Sequence, residues 1–117
     1  MGIILRRNRA DMTTITLIGA PIEEGSGRRG AAMGPTALRI AGIDTVLRDL
    51  GHTVHDEGDV KPLPARDLAN HPGANNLQIV AAFARALHDS VHDTVRKGHF
   101  PIILGGDHAL SMGSVSG

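Results

Sequence analysis

Hydrophobic positions along this 117-residue chain change period several times, and each change marks an element. Thr13 to Gly19 alternates and is rich in β-branched residues, which predicts a first strand ending at Gly19. A glycine-rich, charged loop runs from Ala20 to Gly34, and Pro35 then suits the first turn of a helix. From Thr36 to Leu50 the apolar residues Leu38, Ala41, Val46, Leu47 and Leu50 fall at partly helical spacing, with Gly42 a point of breakage and Gly51 a natural end. His52 to Glu57 reads as a short, polar second strand. Lys61 to Asn75 holds three prolines without any period and reads as a loop.

The clearest periodicity lies at Asn76 to Lys97. Leu77, Val80, Ala81, Ala84, Leu87, Val91 and Val95 make one apolar stripe, and Gln78, Arg85, Asp89, Asp93 and Arg96 fall largely opposite. Gly98 closes this helix. Pro101 can open a strand or sit at its edge, Ile102 to Leu104 supply a buried apolar run, and a last helix follows around Ala109 to Ser116. The order βαβαβα favours an α/β fold with a parallel sheet and helical crossovers.

Composition narrows the function classes. Twelve basic residues balance twelve acidic ones, so no electrostatic case exists for nucleic acid or an anionic membrane as partner. The basic cluster Arg6, Arg7 and Arg9 has no stacking aromatics beside it, Phe83 and Phe100 being the sole aromatic residues. Without cysteine there is no disulfide, thiolate zinc site or cysteine nucleophile, which is compatible with a reducing cytoplasm. No apolar run reaches the roughly twenty residues of a membrane span. Residues 1–12 read as a disordered extension, with Met12 an alternative start, and residues 13–117 as the folded part.

Candidate chemistry concentrates where the third strand ends. Leu104 runs into Gly105, Gly106, Asp107 and His108, which puts an acid and an imidazole just past a strand's carboxyl end, where α/β sheets bind ligands. Asp107 either orients the ring or caps the following helix, and in the second case His108 is an ordinary first-turn residue. Gly25-Ser26-Gly27-Arg28-Arg29-Gly30 matches G-x-G-x-x-G, with Asp56 and Glu57 beyond it as ribose-binding acids. Five residues separate Gly25 from the strand end at Gly19, however, and Pro35 sets a later helix start than a dinucleotide turn requires. The same loop also suits a substrate rim sharing a face with His108. His88 and His92 lie four apart on one helix, as in zinc proteases, but the middle acid is Asp89, whose reach is shorter than the glutamate's, and a surface pair is the simpler account. His52, His55, His71 and His99 show no ligand spacing and read as solvated or capping residues. The run Gly113 to Gly117 has Val115 where a nucleophile elbow needs serine.

Three stretches together resemble the amino-terminal part of an arginase, within the ureohydrolases that also include agmatinases and formiminoglutamases. They are Ile18 to Pro21 with the loop Gly27 to Pro35, Gly58-Asp59-Val60, and Leu104 to His108 with Ser111, Gly113 and Ser116-Gly117. The Arg28-Arg29-Gly30 loop with Gly34-Pro35 is closer to arginases than to agmatinases. The resemblance implies a three-layer α/β/α fold and two Mn²⁺ ions at the strands' carboxyl ends. It implies hydrolysis of the arginine guanidinium to urea and ornithine by a metal-activated water. It also makes His108 a metal ligand, puts Asp107, Gly105, Gly106, Arg28 and Arg29 around it, and implies a small guanidino substrate and a homo-oligomeric full-length form. The family's D-x-H-x-D and D-x-D motifs, which carry most ligands, do not occur in this sequence. The expectation is therefore a truncated portion, inactive alone and exposing an apolar edge on its third strand. A dinucleotide-binding module and a non-catalytic fragment docking onto a full-length homologue are the alternatives from other classes.

Overall fold

The computed structural model describes residues 12–62 and 74–117, with the side chains of 74–76 left aside. The extension expected at 1–12 therefore lies outside the described residues except for Met12, as does most of the loop expected at 61–75. Three strands, β1 (Thr14–Ala20), β2 (Thr53–Asp59) and β3 (Phe100–Gly105), form a parallel sheet in the order β2-β1-β3. The helices are α1 (Gly34–Ile40), α2 (Ile43–Asp49), α3 (Ala74–Arg96) and α4 (Ser111–Ser116), so α3 begins two residues before the periodicity predicted. Short 3₁₀ turns at Ala31–Met33 and His108–Leu110 precede α1 and α4.

The two faces of β1 build two clusters. Ile15 and Leu17 pack with Val54 and Leu104, and Ile43, Leu47 and Ile102 close over them. Ile18 and Ala20 point the other way, onto Leu87 and Val91 of α3, with Val60, Ile103 and Leu110 at the margin. Helices thus cover both faces, giving the three-layer α/β/α arrangement expected. Each fully buried Leu or Ile here contributes about 1.5–3 kcal/mol relative to exposure.

Two apolar stripes differ from their expected membership. Gly42 takes a left-handed conformation with φ 90° and splits the segment at 36–50 into α1 and α2, which resets the helical phase. Ile43 and Leu47 then face the sheet, whereas Leu38, Ala41, Val46 and Leu50 are exposed. In α3, Leu77 and Val95 are likewise exposed, and Thr94 takes the buried place expected for Val95. Val80, Leu87 and Val91 define the line of contact, and at ~100° per residue Thr94 lies closer to it than Val95 does. The Thr94 hydroxyl is satisfied inside the helix, donating to the Ser90 carbonyl at 2.8 Å.

The β1–β2 register breaks between Leu17, opposite Asp56, and Gly19, opposite Asp59. An additional residue is accommodated on β2 as a bulge, and Gly58, with φ 77°, takes the left-handed conformation this needs. On the other side β3 pairs with β1 alone among the described residues. Phe100 is 58% exposed beside that open edge. The 117-residue polypeptide is accordingly expected to self-associate as its concentration rises, measured by sedimentation velocity. A monomer with a sharp, concentration-independent thermal transition would contradict this.

Candidate functional site

The chain leaves β3 through a turn that is fastened to the end of β1 by backbone alone. Gly106 N–H donates to the Ala20 carbonyl at 3.3 Å and Asp107 N–H to the Ile22 carbonyl at 2.9 Å. Gly106 has no room for a side chain, since a Cβ there would sit 2.6 Å from the Ala20 oxygen and closer still to that of Ile22. Gly105 faces Leu110, and its carbonyl oxygen abuts Gly34 at the start of α1. Pro35, buried in the first turn of α1, holds that approach in place.

Asp107 caps the turn and also does more than cap it. One carboxylate oxygen accepts from Ala109 N–H at 2.8 Å, and the other accepts from Ser26 N–H at 3.0 Å. The side chain is buried, with 9% of the residue exposed, so both bonds form in surroundings where water competes weakly. Asp107 therefore ties the loop after β1 to the turn after β3. Within that loop Glu23 accepts from Gly30 N–H at 2.9 Å, and the Ser26 hydroxyl donates to the Glu23 carbonyl at 3.2 Å. Arg28 and Arg29 are exposed at its tip, and neither enters an ion pair among the described residues.

His108 opens the 3₁₀ turn with its side chain exposed. It stands beside the fixed carboxylate of Asp107, at the carboxyl ends of β1 and β3. Among the described residues no three His, Cys, Asp or Glu side chains gather where they could hold a metal ion.

The glycine fingerprint is not a dinucleotide turn. Gly27 and Gly30 are left-handed with φ 64° and 100°, the loop between them leads into a 3₁₀ turn, and α1 begins only at Gly34. Asp56 and Glu57 do not act as a pair either. They point to opposite sides of β2, Asp56 toward α1 and Glu57 toward Ser90 and Lys97 on the α3 side. The histidines read as solvated are also partly engaged. His99 Nδ1 lies 3.0 Å from the Thr16 hydroxyl, His55 stacks on His99 at 5.5 Å, and His52 Nδ1 accepts from Thr13 N–H at 3.3 Å. His71 lies outside the described residues.

One charged cluster was not anticipated from the sequence. The Arg39 guanidinium in α1 donates to both oxygens of Asp56, at 2.8 and 3.0 Å, and to Asp59 at 2.6 Å. It thereby joins α1 to the carboxyl end of β2. The Arg39 hydrogen bonds hold the Asp56 carboxyl below its ordinary range against the opposing effect of burial, helped by Gly58 N–H, and Asp56 in turn raises Arg39. Gly58-Asp59 was visible as a motif, but nothing in the spacing named Arg39 as its partner.

Two predictions follow from this geometry. Because the Asp56 carboxyl is depressed in the folded protein, its contribution to stability is full above the unfolded carboxylate pKa and is lost as pH falls through the folded one. Arg39→Met should flatten that acid limb of the stability–pH curve, by at most about 1 kcal/mol because the partly exposed pair is screened by water. Denaturant melts from pH 7 to pH 3 measure it. Gly106→Ala should destabilise by about 3 kcal/mol or more, since two backbone carbonyls must move, whereas Gly27→Ala meets no atom and pays only for its left-handed backbone. Equal losses in the two variants would show the turn to be looser than described.

Comparison with known proteins agrees with this arrangement. The sequence pattern of the Arginase family matches residues 13–117. Arginase from Agrobacterium fabrum is 37% identical over 113 residues, covering 95% of this chain and 35% of that protein. Arginase from Bacillus subtilis is 38% identical over 104 residues, covering 89% and 35%. The crystal structure of arginase from Bacillus subtilis superposes with a TM-score of 0.77 at 36% identity, over 90% of this chain and 33% of that one. That of Bacillus caldovelox arginase gives 0.77 at 37% identity, over 89% and 36%. The chain spans about a third of the length of the relatives it matches. With its fold and its sequence both matched along nearly its whole length, the chain belongs to the arginase family.

Proposed function

We propose that the chain is the amino-terminal part of an arginase-type hydrolase, the substrate being arginine and the products urea and ornithine, and that His108 is its contribution to the metal site. The observation that carries this is the exposed imidazole of His108 on a turn fixed from both sides, by the Gly106 backbone and by the Asp107 carboxylate. Arginases are the solved structures whose fold it matches. A neutral imidazole nitrogen suits Mn²⁺ as one ligand among oxygens.

The described residues do not fit a dimanganese centre. Two hard cations need several carboxylate oxygens, and one imidazole cannot replace them. What these residues do is positional. The Gly105–Gly106 crossing sets the height of the His108 turn over the sheet, and Asp107 holds the Arg28–Arg29 loop beside it. Those two exposed guanidiniums suit a substrate that carries a carboxylate, which arginine has and agmatine lacks. The 117-residue polypeptide by itself is then inactive, the ligand set among its described residues being incomplete.

Two measurements test this. The polypeptide given arginine and Mn²⁺ should release no urea above the blank, and turnover that disappears in His108→Ala would overturn the claim of inactivity. Residues 13–117 grafted in place of the matching segment of Bacillus subtilis arginase should support urea formation, and His108→Ala in that chimera should lose both activity and bound manganese. A folded chimera that keeps its full manganese content without His108 would remove the residue from the site.

A further inference from the structure

His88 and His92 on α3 carry metal-binding chemistry that the turn at His108 does not use. Lying four apart, their rings leave the same side of the helix, with centroids 6.0 Å apart and planes inclined by 13°. His88 also has a hydrogen-bond partner for Nδ1. Its Nδ1 lies 3.2 Å from the Ser116 hydroxyl, and that hydroxyl donates its single proton to the Gly113 carbonyl at 3.3 Å. When the hydroxyl proton goes to that carbonyl, the Ser116 oxygen is the acceptor at His88, the arrangement in which Nδ1 carries the ring hydrogen and Nε2 keeps its lone pair. Histidines that ligate metals have this pattern, one ring nitrogen donating to a fixed partner and the other free for the ion.

The position of Ser116 depends on how closely α4 lies against α3. Gly113 is buried, and a Cβ there would sit 2.5 Å from the Ala84 carbonyl, so only glycine admits the approach. Beside the pair, Ala84, Arg85, His88, Asp89 and Ser116 line an open groove of about 300 Å³. Asp89 brings negative charge to that groove, and Arg85 offsets it.

We propose that His88 and His92 form a two-imidazole site for a late first-row divalent cation, Zn²⁺, Ni²⁺ or Cu²⁺, oriented by Ser116. The two imidazoles are the protein donors, and water fills the remaining coordination positions. Nitrogen donors and the order of affinities along the first transition row favour these ions over Mn²⁺. The site lies on a helix face, apart from the turn that bears His108.

Calorimetric titration of the 117-residue protein with Ni²⁺ and Zn²⁺ tests it. One equivalent should bind, and His88→Ala/His92→Ala should lose that equivalent while far-UV circular dichroism stays unchanged. Ser116→Ala should weaken binding on the order of tenfold, because the ring loses its orienting acceptor. Long-range ¹H–¹⁵N spectra of the metal-free protein should show His88 protonated at Nδ1, a readout that needs no variant. The proposal fails if the double variant keeps its equivalent, if Mn²⁺ binds as tightly as Ni²⁺, or if His88 is protonated at Nε2.

Discussion

β1 is buried on both faces and paired along both edges, and most of the structure is a way of meeting those demands. A strand so placed needs apolar cover above and below, which α2 and α3 provide through Ile43 and Leu47 on one side and Leu87 and Val91 on the other. It also needs partners for its backbone on either hand, which makes β2 and β3 its neighbours although one precedes and the other follows the longest helix. Its carboxyl end is the anchor for the turn with His108, because the Ala20 and Ile22 carbonyls receive the amides of Gly106 and Asp107. Site and core are therefore not separable modules. A change that shifts β1 along its axis moves His108 with it.

Much of this was legible in the sequence because it depends on local pattern. Alternation with β-branching in Thr13 to Gly19, the long stripe of α3 and the glycines after Leu104 each carry their own period or turn chemistry, and all three elements occur within one or two residues of those signals. The parallel order followed from helices falling between strands. Residues whose partners are distant in sequence were less accessible. Arg39 meets Asp56 and Asp59 from 17 and 20 positions away, and Asp107 meets Ser26 from 81 away, so no spacing rule could pair them. The split at Gly42 was foreseen as a break, but its consequence for which residues turn inward was not. A helix restarted in a new phase buries a different stripe.

Asp107 shows how two readings of one residue can be compatible. As a cap it satisfies the amide of Ala109, which any strand-to-helix turn requires. Its second oxygen reaches across to Ser26 and fixes a loop that the cap alone would leave untouched. The contact is possible because Gly25 has no side chain, a Cβ there lying 2.6 Å from that of Ala109. The glycines of the Gly25–Gly30 run therefore serve close approach to a neighbouring turn and left-handed backbone.

The bulge opposite Gly19 has a consequence for parity. Along a regular strand residues of even separation share a face, so Asp56 and Asp59, three apart, belong on opposite sides. The additional residue at Gly58 inverts the count from that point onward, bringing Asp59 back to the side of Asp56 and sending Val60 over to Ile18 and Leu87. One guanidinium can then gather both carboxylates, and the chain still re-enters the core in phase on the far side. In this strand a single left-handed glycine works as a carry digit, and an alternation count made without it assigns every later residue to the wrong layer.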